Sequence, residues 1–214
     1  MKLNKKDKDK ALKLLSEMYP DAKPELNYKT AYELLIAVIL SAQCTDKRVN
    51  IITENLFENY NTAKKMIYLT EEELGELIKS AGLYKNKSKN ILKASRMIIE
   101  EYGGEVPNSR ESLEKLPGVG RKTASVVLSV WFDTPAIAVD THVFRVSNRI
   151  GIVNAKTINL TEKQLMETIS IDLWSKAHHW FIFHGRRLCK ARKPLCEKCN
   201  LNEICIFYKN DETR

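Results

Sequence analysis

Glycine and proline are scarce, with 8 and 6 among 214 residues. An all-β fold closes its many turns with those two residues, so their shortage disfavours one. Long apolar runs are missing as well. The longest, Leu34–Leu40, falls far short of the ~20 residues that a membrane-spanning helix needs, so no membrane partner is expected. Met1 to Lys10 is charged, and no apolar stretch of the secretory kind follows it. The expected location is therefore cytoplasmic, and nucleoid-associated if the cell is prokaryotic. Low-complexity segments and long linkers are absent too. Cysteine is nearly confined to one place, with four of five in the last 26 residues. In a reducing compartment such crowding points to a metal site rather than to disulfides.

What remains is helical periodicity. Hydrophobic residues make up 43% of the chain, enough for a real core without disulfide support. Apolar residues recur at helical spacing in Ala11–Met18, ended by Pro20, and in Val49–Phe57. They recur again around Ile91–Ile98, closed by Gly103 and Gly104. Leu34–Leu40 is apolar nearly all round and so should be a central helix, with Cys44 near its end as inert core. Thr70 with Glu73 is a capping box opening a short helix expected to stop at Gly82. Later patterns fall at Glu111–Lys115, Lys122–Trp131, His142–Ile150, Glu162–Ile169 and Ser175–Leu188. No run alternates with period two for long enough to demand a strand, so the fold class is all-α. Lys and Arg number 35 against 27 Asp and Glu, a formal charge of +8. That surplus suits a polyanion, although a merely solvated lysine-rich surface would also produce it.

Three features carry chemistry. In Leu116-Pro117-Gly118-Val119-Gly120-Arg121-Lys122-Thr123 a helix meets a two-glycine turn and a second helix begins. The glycines permit close approach and positive φ, and the N–H groups of the new helix form an anion site. Such a hairpin can hold a DNA phosphate without reading sequence, although an ordinary helical connector looks similar. Lys122 lies at that helix start beside Arg121, where both the helix dipole and the neighbouring cation disfavour its protonated form. A nucleophilic lysine must be neutral. The competing reading is a phosphate-binding lysine. Asp140, after apolar Ile137-Ala138-Val139, could be a plain helix N-cap, or a partly buried carboxylate that stabilises developing positive charge. Finally, Cys189-x6-Cys196-x2-Cys199-x5-Cys205 places four thiolates within 17 residues. Zinc and an iron–sulfur cluster both remain open on that spacing. The surrounding Arg186, Arg187, Lys190, Arg192, Lys193 and Lys198 can touch phosphates or simply balance a negatively charged cluster.

In this order the three features resemble the endonuclease III family of helix–hairpin–helix glycosylases. The resemblance extends to Leu40-Ser41-Ala42-Gln43, Gly82-Leu83-Tyr84, Gly104-Glu105-Val106-Pro107, His178-His179-Trp180 and His184-Gly185-Arg186. The cysteine spacing is similar to that family's [4Fe–4S] pattern. The resemblance implies a six-helix barrel domain with the helix–hairpin–helix over residues 23–134. It implies a helical [4Fe–4S] cluster domain over 1–22 and 135–214, and a DNA cleft between the two. It implies a bifunctional glycosylase and AP lyase acting on double-stranded DNA with damaged pyrimidines or abasic sites, a monomer by default. Lys122 would be the nucleophile, Asp140 its catalytic carboxylate, and Cys189, Cys196, Cys199 and Cys205 the cluster ligands. Gln43 would fill the gap left by an extruded nucleotide and Leu83 would wedge into the opposite strand. Gly118, Val119, Gly120 and Arg121, with His142, Arg192 and Lys193, would complete the DNA contacts. A monofunctional base or mismatch glycosylase, a non-catalytic DNA-binding module and an electron-transfer protein are the alternatives.

Overall fold

The computed structural model describes residues 2–210, so Met1 and residues 211–214, the outer ends of the expected cluster domain, lie outside the described residues. Twelve α-helices and no strand occur among the described residues. No helix is long and apolar enough to cross a membrane. The chain divides into two compact units, Glu25–Thr134 and the pair of segments Met1–Pro24 and Pro135–Arg214.

The Glu25–Thr134 unit is built on α2 (Ala31–Ser41), in which every residue from Tyr32 to Leu40 is buried. A helix with no polar face cannot sit on a surface, so six others gather round it. These are α3 (Asp46–Asn59), α4 (Ala63–Met66), α5 (Glu71–Leu77), α6 (Tyr84–Tyr102), α7 (Arg110–Lys115) and α8 (Arg121–Trp131). Helices α3, α6 and α8 pack on α2, while α4 and α5 pack on α6 and α7 packs on α8. The expected capping box forms, with Thr70 Oγ1 accepting from Glu73 N–H and Glu73 accepting from Thr70 N–H. Helix α5 nevertheless stops at Leu77, short of Gly82, which instead precedes a new helix. Helix α6 ends at Gly103, whose φ of +63° lets its N–H return to Ile98 O. Cys44 is not helical. Helix α2 ends at Ser41, Gln43 turns left-handed at φ +55°, and Thr45 caps α3.

The other unit contains α1 (Lys5–Met18), α9 (Thr141–Ile150), α10 (Ile158–Thr168), α11 (Trp174–Arg187) and α12 (Ile206–Lys209). Helices α1 and α9 pack on α11, and α12 packs on α9. Ala11, Leu15, Val143, Val146, Phe181 and Leu201 form the middle of its core. Each such buried side chain larger than alanine contributes roughly 1.5–3 kcal/mol. Helix α10 begins earlier than the Glu162 expected, because Thr157 accepts from Leu160 N–H and starts it.

Candidate active site

The hairpin is α7, a tight turn and α8. Val119 N–H donates to Leu116 O at 3.0 Å, with Pro117 and Gly118 between them. Gly118 sits at φ +81°, and a Cβ there would press to 3.0 Å from Asn90 Cβ. Proline followed by a positive-φ glycine is the signature of a type II turn. Gly120 departs from the expectation of positive φ. It is extended at φ −97°, and a Cβ would meet nothing within 4 Å. The fold does not require glycine there. As the N-cap of α8, Gly120 has no side chain to accept from the first-turn N–H groups, which leaves the helix start open to an outside anion. Lys122 stands in that first turn, exposed, beside exposed Arg121. Arg110 Nη1 donates to Ser125 Oγ at 2.9 Å, and Ser125 Oγ donates to Arg121 O at 2.9 Å, which braces α7 against α8.

Asp140 caps α9. Its Oδ1 accepts from His142 N–H and Val143 N–H, both at 2.8 Å. The capping reading therefore holds, yet it occupies one oxygen. Oδ2 takes no hydrogen bond among the described residues, and the side chain is half-buried. The approach to Asp140 is rigid, because Ala136–Val139 are buried and His178 Nδ1 donates to Ala138 O at 2.7 Å. His142 packs so tightly that a Cβ on Gly185 would come to 3.0 Å from its ring. Burial lowers its pKa, more than nearby Asp140 raises it, so the imidazole is neutral at pH 7.

Gln43 and Leu83 both lie exposed in left-handed backbone, at φ +55° and φ +60°. Leu83 is 55% exposed and serves as the N-cap of α6. A Cβ on Gly82 would stand 3.0 Å from Gln43 O, so the two loops touch through their backbones. Lys87, which the sequence reading passed over, reaches from α6 to this place, and burial lowers its pKa.

Cys189, Cys196, Cys199 and Cys205 line one cavity, walled by Ile150, Leu188, Leu195, Leu201 and Phe207. Among the described residues no three His, Cys, Asp or Glu side chains are arranged to hold a single ion. Four thiols around a shared apolar space fit a multi-iron cluster better than a lone zinc. Burial pushes the Cys199 thiol up to about 11, helped by Cys205, Cys189 and Cys196 and opposed by a hydrogen bond from the Leu201 backbone. Four thiolates need compensating cationic charge in such a place, and metal ligation supplies it. Arg149 Nη1 donates toward Cys189 Sγ at 3.8 Å, the kind of contact that tunes cluster sulfurs, and His184 Nε2 lies 3.6 Å from Cys199 Sγ. Arg149 also donates to Lys190 O at 2.7 Å and Ala191 O at 3.1 Å. That clasp fixes the loop on which Arg192 and Lys193 are exposed. The sequence reading missed Arg149 and gave His178, part of a matching motif, no role, since nothing in their spacing marks these contacts.

The model of the HhH-GPD superfamily base excision DNA repair proteins matches residues 36–170. The iron–sulfur binding domain of endonuclease III matches residues 189–205. Endonuclease III of Bacillus subtilis strain 168 is 52% identical over 204 residues, covering 95% of this chain and 93% of the relative. The chain belongs to the endonuclease III family. Endonuclease III of Escherichia coli K12 is 45% identical over 205 residues, 96% of this chain and 97% of the relative. A solved structure of a trapped endonuclease III–DNA covalent intermediate superposes with a TM-score of 0.94 at 50% identity, covering 97% and 98% of the two chains. A thermostable thymine-DNA glycosylase superposes at 0.85 with 25% identity, covering 95% and 97%. As in the endonuclease III family, the cofactor is a [4Fe–4S] cluster, which decides between the two metals the cysteine spacing left open.

Proposed function

We propose that the chain is a bifunctional DNA glycosylase and AP lyase of base excision repair, acting on oxidised or ring-saturated pyrimidines, with Lys122 as its nucleophile. The glycosylase and lyase activities come with the family. The residue assignments and the lesion class are our reading. The observation that carries it is an exposed lysine in the first turn of a helix whose N-cap has no side chain. A phosphate held on the N-terminal N–H groups of α8 would bring the neighbouring sugar within reach of that amine. The 50%-identical relative trapped as a covalent intermediate with DNA supports an attack of this kind.

A base inside a duplex is out of reach, so the nucleotide is first extruded, at a cost of a few kcal/mol that damage lowers. Gln43 then fills the vacated place and Leu83 enters the opposite strand. Both are exposed and already held in left-handed backbone, a conformation that such residues keep only when their surroundings impose it. The free amine of Lys122 attacks C1′, and the base leaves with the glycosidic electron pair and a proton. The C1′ adduct opens to an imine. Loss of the C2′ proton then expels the 3′ phosphate by β-elimination. Asp140 offers Oδ2 to the positive charge that grows on the sugar, while Oδ1 keeps α9 capped.

Cys189, Cys196, Cys199 and Cys205 would hold the cluster, a closed four-thiolate centre that supplies a rigid anchor for the loop carrying Arg192 and Lys193. With Arg121, His142 and the Gly118–Gly120 amides, that loop would grip phosphates without reading sequence. We place the protein in the cytoplasm, on the nucleoid if the cell is prokaryotic, where the DNA substrate would be. The test is product analysis on a labelled duplex with one oxidised pyrimidine. The reading expects the free base and a broken strand to appear together. Free base with an intact, alkali-labile strand would instead make the enzyme monofunctional.

A further inference from the structure

One lysine of the Glu25–Thr134 unit is not on the surface. Lys87 is 5% exposed, although its neighbours in Tyr84-Lys85-Asn86-Lys87-Ser88-Lys89 include two exposed lysines. Its Nζ donates to Leu40 O at 2.8 Å and to Ala42 O at 2.6 Å. Those carbonyls belong to the C-terminal end of α2, where helix carbonyls lack partners and the dipole is negative. An ammonium is therefore well matched to the place. Lys87 itself sits near the start of α6, where its N–H makes the helix's first i→i−4 bond, to Leu83 O at 3.0 Å. Its ammonium thus joins the start of α6, next to Leu83, to Ala42, the residue before Gln43. Gly82 and Gln43 O, close enough to exclude a Cβ, form the second point of contact between the loops.

We propose that Lys87 is a positioning residue for base extrusion: its buried ammonium locks the Gln43 loop to the start of α6, so that Gln43 and Leu83 meet the duplex as one preset pair. This rests on the reading of those two as the inserting residues. Two exposed residues in left-handed backbone would drift toward commoner conformations if the clip were cut, and insertion would then bear the cost of ordering them. Lys87 touches no reacting atom, so chemistry on a sugar that needs no extrusion should not depend on it.

The experiment compares cleavage of an abasic site in a duplex with cleavage of the same site in a single-stranded oligonucleotide, using cluster-loaded protein. Lys87→Met keeps the stem and removes the donors. It should slow the duplex reaction roughly tenfold or more, a modest share of the extrusion cost, and leave the single-stranded rate within about twofold. A 2-aminopurine next to the site should brighten on binding wild type and much less on binding the variant. Lys87→Gln, whose amide reaches at most one of the carbonyls, should fall between the two, and it decides the matter if the methionine variant does not fold. Parallel loss on both substrates, or none on the duplex, overturns the proposal. Gln43→Ala and Leu83→Ala separate it from the reading beneath it. If these two lose duplex activity selectively and the Lys87 variants do not, Lys87 alone is wrong. If neither of them does, the insertion reading itself fails.

Discussion

Replacing Asp140 separates a cap from a catalytic group, because the two roles use different oxygens. Oδ1 accepts two backbone N–H groups at 2.8 Å while Oδ2 is uncommitted among the described residues. Asn is about as good an N-cap as Asp. Asp140→Asn keeps an acceptor for both N–H groups and gives up only the charge–dipole attraction, about 0.3–1 kcal/mol. Asp140→Ala loses both bonds and should cost about 1–2 kcal/mol, or a fall in Tm of roughly 2–4 °C per kcal/mol for a chain of this size. Catalysis should fall in both variants, since both lose the charge. Removing one preorganised group that stabilises transition-state charge typically slows turnover about 10²–10³-fold, or about 2.7–4 kcal/mol. The neutral Asn variant should therefore be nearly as stable as wild type and at least a hundredfold slower. The assay is single-turnover excision of an oxidised pyrimidine with enzyme in excess, alongside thermal unfolding of the same preparations. An Asn variant that excises within about fivefold of wild type, beside a destabilised Ala variant, would leave Asp140 as a cap and nothing more.

The hairpin glycines should behave differently from each other. Gly118→Ala faces a positive φ and a 3.0 Å contact with Asn90, and should lower the melting temperature. Gly120→Ala has open space around it and should lose only the modest N-cap preference of glycine over alanine, melting slightly below wild type, yet bind every lesion duplex more weakly, whatever the base. A loss confined to one lesion or flanking sequence would mean that the turn reads bases. Substituting any one of Cys189, Cys196, Cys199 or Cys205 should reduce bound iron and the broad absorbance near ~400 nm of a thiolate-bound cluster. Cys44→Ala should leave both unchanged, and iron loss on that substitution would refute the four-cysteine assignment.

The helices were legible because burial leaves a periodic trace. The unbroken apolar run Leu34–Leu40 marked α2 as central, and the pairing of Thr70 with Glu73 announced its own capping box. Gly103 marked the end of α6. What escaped has identifiable causes. Helix α4 is a single turn capped by Thr62, too short to display a period. The start of α10 at Thr157 rests on one hydroxyl–amide bond, while the apolar pattern thickens only later. The expected positive φ at Gly120 failed because glycine there serves by lacking a side chain rather than by turning the chain. Lys122 and Asp140 could be named from position, since helix starts are chemically distinctive. Lys87 and Arg149 could not, and His178 stood in a matching motif without a role. Each acts on backbone carbonyls far away in sequence, and a carbonyl leaves no mark in the residue that carries it.

The central claim is that Lys122 forms a covalent bond to the sugar, and borohydride trapping tests it most directly. An imine can be reduced to a permanent protein–DNA bond, whereas hydrolysis by water leaves nothing to reduce. Wild type incubated with an abasic duplex and borohydride should give one crosslinked species, with the DNA attached at Lys122 on peptide mapping. Lys122→Gln should give neither crosslink nor strand cleavage while still binding the duplex, since the hairpin and the cluster loop remain. A crosslink that persists in Lys122→Gln, or maps to another lysine of the wild type, would contradict the account.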